Sequence, residues 1–251
     1  MKKLYDKNPL GFALLWIGIY CVLQSLGNVL GSRIGIRESA GAVLAAAQAV
    51  FLLFWLHKYG LMRAFGLNKP AASGKSMLFY LPLLLICTRN LWSGWSMNRT
   101  PAELGCHIVL MLSVGFLEEL IFRGFLFEAM AKDSRNSAIL VSSLTFGLGH
   151  VINLFNGSGM DVTEVLLQIV MAAVIGFLLV MVYLRSGSLL PCMAAHAFIN
   201  ISSAFSDHSG VTLKTTLLQH GVMLALILAY LLVLSKTAPI RRDKNNSQGA
   251  L

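Results

Sequence analysis

The chain has 251 residues, of which 56% are hydrophobic and only 12% charged, with a formal net charge of +9 and a mean hydropathy of +0.71. Soluble domains carry about 25% charged residues, so a soluble fold of this length would have to hide more apolar surface than one core can hold. The apolar runs are continuous and do not alternate at period two, which excludes a transmembrane β-barrel and leaves a helical bundle in lipid.

In chain order, eight apolar stretches stand out at about 9–30, 40–56, 77–91, 104–131, 137–155, 162–184, 189–205 and 215–234. Most approach the ~20 residues a helix needs to cross a bilayer. The third is short and carries Pro82, and the fourth is long enough to tilt or protrude. Lys2 and Lys3 precede the first stretch, but no small-x-small cleavage site closes it, so it reads as a retained helix and not as a signal peptide. The expected fold is all-α: a polytopic integral membrane protein of about eight transmembrane helices in one bundle. Residues 1–251 then form a single transmembrane domain, with helices one to three inside 9–91 and a tail at 236–251. The loops at 57–75 and 92–103 are too short to fold alone, and no repeat relates the two halves.

Charge orients this bundle. Lys2, Lys3, Lys7, Lys58, Arg63, Lys69, Lys75, Lys132, Arg135, Arg185, Lys236, Arg241, Arg242 and Lys244 fall on one set of loops and tails. The other set holds Arg33, Arg37, Arg89, Arg99 and Lys214. The positive-inside rule therefore predicts that both termini are cytoplasmic. The basic excess fits anionic lipid and not nucleic acid. Cys21, Cys87, Cys106 and Cys192 lie in or beside apolar runs with no CxxC pair, so they read as buried small side chains.

The twentieth basic residue, Arg123, lies inside the fourth stretch, where residues 115–124 read GFLEELIFRG. Two adjacent carboxylates in an apolar helix are costly unless they are paired or line a wet cavity. Glu119 and Arg123 are four apart and can pair. Glu118 points about 100° around the helix from Glu119, which leaves it free to act as a general base. The bland alternative is a polar packing cluster without chemistry.

The fifth stretch carries Phe146 and His150 in the run FGLGH. A lone His in an apolar helix is most often a packing residue, but position changes the weighting. The turn between stretches four and five centres near residue 134, and Glu118 and His150 each lie sixteen residues from it. At ~1.5 Å per residue they share one height. Gly147 and Gly149 leave room there for close helix approach or for substrate. The seventh stretch carries His196 and Asn200, four apart on one face. A carboxylate, two imidazoles and an amide suit hydrolysis of a carbonyl: one group activates water and the others stabilise the oxyanion. Glu118, His150 and His196 could alternatively ligate zinc with one position open. No HExxH occurs.

Several other polar residues carry weaker signals. His107 is expected at the outer interface, Glu128 at the cytoplasmic one, and His57, His208 and His220 near helix ends. Arg89 and Asn90 are expected to snorkel, and Trp92 and Trp95 to form an interfacial belt. The sequons at Asn98, Asn156 and Asn200 are weak.

Taken together, the motifs resemble those of the CPBP family, also called the CAAX-protease and bacteriocin-processing or Abi family, which includes the type II CAAX prenyl endopeptidases. Its EExxxR motif is matched by Glu118, Glu119 and Arg123, its FxxxH motif by Phe146 and His150, and its HxxxN/D motif by His196 and Asn200. The resemblance covers about residues 105–205. It implies endopeptidase activity in which Glu118 activates water and His150, His196 and Asn200 assist, while Glu119, Arg123 and Phe146 support the site. It leaves open a metal-free mechanism or one using a divalent metal such as zinc.

The implied partners are a peptide or membrane-protein substrate and the lipid bilayer of a bacterial plasma membrane. The rival expectations are a proton-coupled transporter, which should show internal repeats, and a non-catalytic membrane immunity or partner protein. One geometric demand follows. His196 is only ten residues beyond the turn near 186, so the hairpin of stretches four and five must protrude by roughly two turns for the three groups to meet.

Overall fold

The computed structural model describes residues 1–155, 159–207 and 209–240, apart from the side chain of Ser32. The expectations for Asn156, His208, Arg241, Arg242 and Lys244 lie outside these residues. The helices are α1 (Lys2–Lys7), α2 (Pro9–Ile34), α3 (Ser39–Lys58), α4 (Leu81–Cys87), α5 (Pro101–Ala131), α6 (Arg135–Leu148), α7 (Val162–Ser186), α8 (Leu190–Ser202) and α9 (Leu213–Thr237). Short 3-10 turns flank α4 and extend α6 over Gly149–Leu154 and α8 over Ser203–Phe205. No strand occurs among the described residues. The chain is an all-α polytopic membrane protein. Among the described residues, six helices are long and apolar enough to span a bilayer, while the third and seventh expected stretches form shorter apolar helices over Leu78–Cys87 and Leu190–Phe205.

Polar caps mark where the apolar helices begin. Thr100 and Glu103 form a reciprocal capping box at α5, with Pro101 at its first position. Asp161 and Glu164 do the same for α7, and Thr212 and Thr215 for α9. Helices α2 and α7 stop at Gly35 and Gly187, both left-handed.

The two ends of the molecule are stitched by loops. At the basic end, the Leu189 amide donates to the Gly66 carbonyl at 2.8 Å and the Ala71 amide to Ser186 at 2.8 Å. Asn68 Nδ2 donates to the Gly187 carbonyl at 3.1 Å. Gly66 has a φ of +70°, and a Cβ there would lie 2.7 Å from the Tyr183 ring, so only glycine fits. At the opposite end, Trp95 and Ser206 form an isolated bridge, and the exposed Trp95 ring stacks on Phe205. Asn90 does not snorkel: its Nδ2 donates to the Ile199 carbonyl at 2.6 Å and binds α4 to α8.

Two packing features carry the site. An aromatic cluster of Tyr5, Phe12, Trp55, Phe65 and Phe125 locks α1 and α2 onto α5, with Phe12–Phe125 centroids at 5.0 Å and Phe65–Phe125 at 4.9 Å. Such pairs add about 0.5–1.5 kcal/mol each beyond burial. Small residues then let the remaining helices close in. A Cβ on Gly115 would lie 2.9 Å from the Ala197 amide nitrogen of α8, and one on Gly147 would lie 2.7 Å from the Ile169 carbonyl oxygen of α7. Gly149, by contrast, meets nothing within 4 Å.

This contrast gives a paired prediction. Gly147→Ala overpacks the α6–α7 contact and should lower stability by about 1–3 kcal/mol, seen as a lower thermal midpoint of the detergent-solubilised protein. Gly149→Ala should leave that midpoint unchanged.

Candidate active site

Helix α5 does not run as one α-helix. Pro101–Glu118 is α-helical, Glu119–Phe127 is π-helical, and Glu128–Ala131 returns to α. Runs of i→i+5 hydrogen bonds are rare and concentrate at functional sites. The π segment begins at the second carboxylate of the EE pair and includes Arg123. It is buried throughout, packed against α2 and α6. A π-turn holds more residues than an α-turn, so this arm of the hairpin is shorter than sixteen α-helical residues. That shortening takes up part of the height mismatch with His196.

The two carboxylates have different surroundings, as the sequence suggests. Glu119 and Arg123 are both fully buried, and Arg123 Nη1 donates to Glu119 Oε1 at 3.1 Å. The guanidinium also lies over the Phe146 ring, 4.1 Å from its centroid. Gly176 gives it room, since a Cβ there would lie 3.2 Å from Arg123 Nη2. A buried carboxylate without such a partner is strongly destabilising.

His196, from α8, stands between the carboxylates. Its Nδ1 lies 2.8 Å from Glu119 Oε1 and its Nε2 lies 3.5 Å from Glu118 Oε2. An ionised carboxylate only accepts, so Nδ1 carries a proton toward Glu119. The Nε2 contact is longer than a well-formed hydrogen bond. Glu118 is half-buried, and its other oxygen, Oε1, accepts a hydrogen bond from Tyr20 Oη of α2.

The remaining expected residues are placed as follows. Phe146 is buried, and its ring meets both imidazoles edge-on, with centroids 5.7 Å from His150 and 5.5 Å from His196. His150 lies in the 3-10 turn after α6, half-buried, with Nδ1 bonded to the Phe146 carbonyl at 3.2 Å. That carbonyl only accepts, so Nδ1 carries the hydrogen, and Nε2 has no hydrogen-bond partner among the described residues. Asn200 follows His196 by one turn of α8. Among the described residues, no hydrogen bond joins His150 or the Asn200 side chain to Glu118. The structure thus brings together Glu118, Glu119, Arg123, His196, Phe146 and, through its contact with Phe146, His150.

The sequence leaves open Glu118, His150 and His196 as a metal ligand set. Among the described residues, no three His, Cys, Asp or Glu side chains converge as a metal site. Both ring nitrogens of His196 face carboxylate oxygens, and each imidazole packs on the Phe146 ring. The side chains as arranged do not form that set.

Two features escape sequence reasoning. Tyr20 belongs to no motif and reads as core; its only signal is that a buried tyrosine hydroxyl needs a partner. His107 was expected at the interface but is buried at 1% exposure. Its Nδ1 lies 2.7 Å from Glu38 Oε2, and its Nε2 lies 3.1 Å from the Asn200 backbone carbonyl. Both neighbours only accept, so the ring satisfies both when it carries two protons. Arg99 Nη2 also donates to Glu38, at 3.0 Å. Glu38, in the connection before α3, thereby reaches the helix that carries His196 and Asn200. Burial pushes the Glu38 carboxyl up, but the His107 hydrogen bond and charge and the Arg99 contact outweigh it and hold it below the usual carboxylate range.

Residues 100–202 match the family model described as Rce1-like, type II CAAX prenyl endopeptidase Rce1-like. This bears out the resemblance drawn from the three motifs, all of which lie inside the matched span. The family is one of membrane endopeptidases, which implies a peptide or protein substrate in a membrane setting. No curated protein and no solved structure matches the chain.

Two predictions follow from the charges. Arg123→Leu strands Glu119 and should destabilise the fold by about 3–5 kcal/mol, while the double change Glu119→Leu with Arg123→Leu should recover much of that loss in thermal unfolding. For Glu38, a folded-state value below the ordinary one means its contribution is present above the ordinary carboxylate range and is lost as pH falls through the lowered value. Glu38→Gln should therefore lower the thermal midpoint at neutral pH, and the gap to the parent protein should close on acidification.

Proposed function

We propose that this chain is an intramembrane endopeptidase that hydrolyses a peptide bond of a peptide or membrane-protein substrate with water activated by Glu118. The observation that carries this reading is the unequal treatment of adjacent carboxylates. Glu119 is tied to Arg123 and His196, whereas Glu118 is half-buried and offers Oε2 toward His196 Nε2 at a loose 3.5 Å. A carboxylate so placed can take a proton from water as the water oxygen bonds to the substrate carbonyl carbon.

The oxyanion then needs donors. His196 in its doubly protonated form presents Nε2–H, and Glu119 beside Nδ1 stabilises that charge. Asn200, one turn along α8, supplies an amide donor, and His150 a second imidazole. Collapse of the tetrahedral intermediate breaks the C–N bond, and the proton held by Glu118 passes to the leaving amine. Arg123 and Phe146 keep Glu119 and His196 in place. With the basic loops cytoplasmic, substrate enters between the helices from that side. Residues 1–251 act as one transmembrane unit.

The test is comparative peptidomics of membranes from cells expressing the parent protein or Glu118→Gln at matched levels. Cleavage products that depend on the parent protein should fall by about 10²-fold or more in the variant, the weight of a general base. Equal products from both would sink the assignment.

A further inference from the structure

The family match begins at residue 100, yet one oxygen of the proposed base is held from far upstream. Tyr20 sits in the middle of α2, only 8% exposed, and its hydroxyl donates to Glu118 Oε1 across 98 positions of sequence. We propose that Tyr20 is a positioning residue of the reaction: it fixes the Glu118 carboxylate so that Oε2 faces His196 and the attacking water. This rests on the endopeptidase reading.

The chemistry favours a phenol at this place. An ionised carboxylate only accepts, and a protonated one can also donate. Because the proton is taken at Oε2, Oε1 accepts from the Tyr20 hydroxyl while the base is ionised and still accepts, as the carbonyl oxygen of the acid, once the base is protonated. The orienting contact therefore survives both halves of the catalytic cycle. A phenylalanine at this place offers no donor in either half.

The support behind Tyr20 is rigid. Eight residues earlier on the same helix, Phe12 packs on Phe125 of the π segment and on Trp55 of α3. The height of α2 against the carboxylates is thus set by ring packing at the basic end. Position 20 is then delivered to Glu118 without a loop or hinge between the two contacts. On the other side of the carboxylate, His196 is fixed through Glu119. Of the two Glu118 oxygens, one is therefore committed to α2 and the other is left to chemistry.

The experiment compares the parent protein, Tyr20→Phe, Glu118→Gln and the double variant on one substrate identified by the peptidomics. The purified full chain is used in detergent, with rates expressed per folded protein. Tyr20→Phe should lower kcat about ten- to hundredfold, the weight of one hydrogen bond to an ionised group, with KM unchanged. On the Glu118→Gln background the same change should lower kcat no further, because Tyr20 acts through Glu118. Unchanged kcat in Tyr20→Phe, or an equal loss on both backgrounds, overturns the proposal. If Tyr20→Phe does not fold, 3-fluorotyrosine at position 20 keeps the ring and hydroxyl and alters the donor strength. A change in kcat at constant KM then supports the proposal, and no change overturns it. Failure of the endopeptidase reading looks different: Glu118→Gln would cleave like the parent.

Discussion

A fully buried ion pair between Glu119 and Arg123 is the constraint around which the middle of this molecule is arranged. In lipid, neither charge can reach water, and each is tolerable only with the other present. The pair dictates its surroundings. Arg123 needs space, which Gly176 provides, and a polarisable face, which Phe146 provides. Glu119 needs a further donor, which is His196. Once those partners are fixed, four helices are fixed with them: α5 through the pair itself, α6 and α7 through Phe146 and Gly176, and α8 through His196.

The π segment is the backbone counterpart of the same constraint. It spans Glu119 to Phe127 and so contains both members of the pair, and every residue in it is buried. Widening the helix there changes which faces its residues present and shortens the arm that rises to the loop at 132–134. An α-helical count alone would put His196 about two turns away from the carboxylates. In the structure it touches both. The backbone irregularity helps three motifs from separate helices to reach one height.

Much of this is readable in the sequence, for physical reasons that are easy to name. Charged residues in long apolar runs have few ways to be stable, so Glu118, Glu119 and Arg123 announce themselves, and i,i+4 spacing identifies which two pair. His150 and His196 stand out for the same reason. What stays hidden is whatever depends on helix-to-helix register. Tyr20 is an ordinary residue in an apolar helix until α2 is placed against α5. His107 reads as an interfacial side chain until Glu38 and the Asn200 carbonyl are placed on either side of it. Asn90 reads as a snorkelling end until α4 meets α8. The π segment, finally, has no compositional signature in FLEELIFRGF, because it arises from packing and not from local propensity.

The charge balance of the site bears on how it can work. Glu118 and Glu119 bring two negative charges and Arg123 one positive, so the cluster carries one net negative charge when His196 is neutral and none when it is protonated. In a low-dielectric interior those two states differ sharply in electrostatic energy unless a proton is gained from nearby. Moving a proton between Glu118 and His196, however, leaves the net charge of the cluster as it was. In the proposed mechanism the 3.5 Å separation of Glu118 Oε2 and His196 Nε2 therefore joins two groups between which a proton can pass, directly or through the reacting water, without changing the net charge in the membrane. Arg123 offsets the Glu119 charge beside this exchange. Without it, the same step would take place beside an uncompensated Glu119, and the site would be held one charge further from neutrality throughout the cycle.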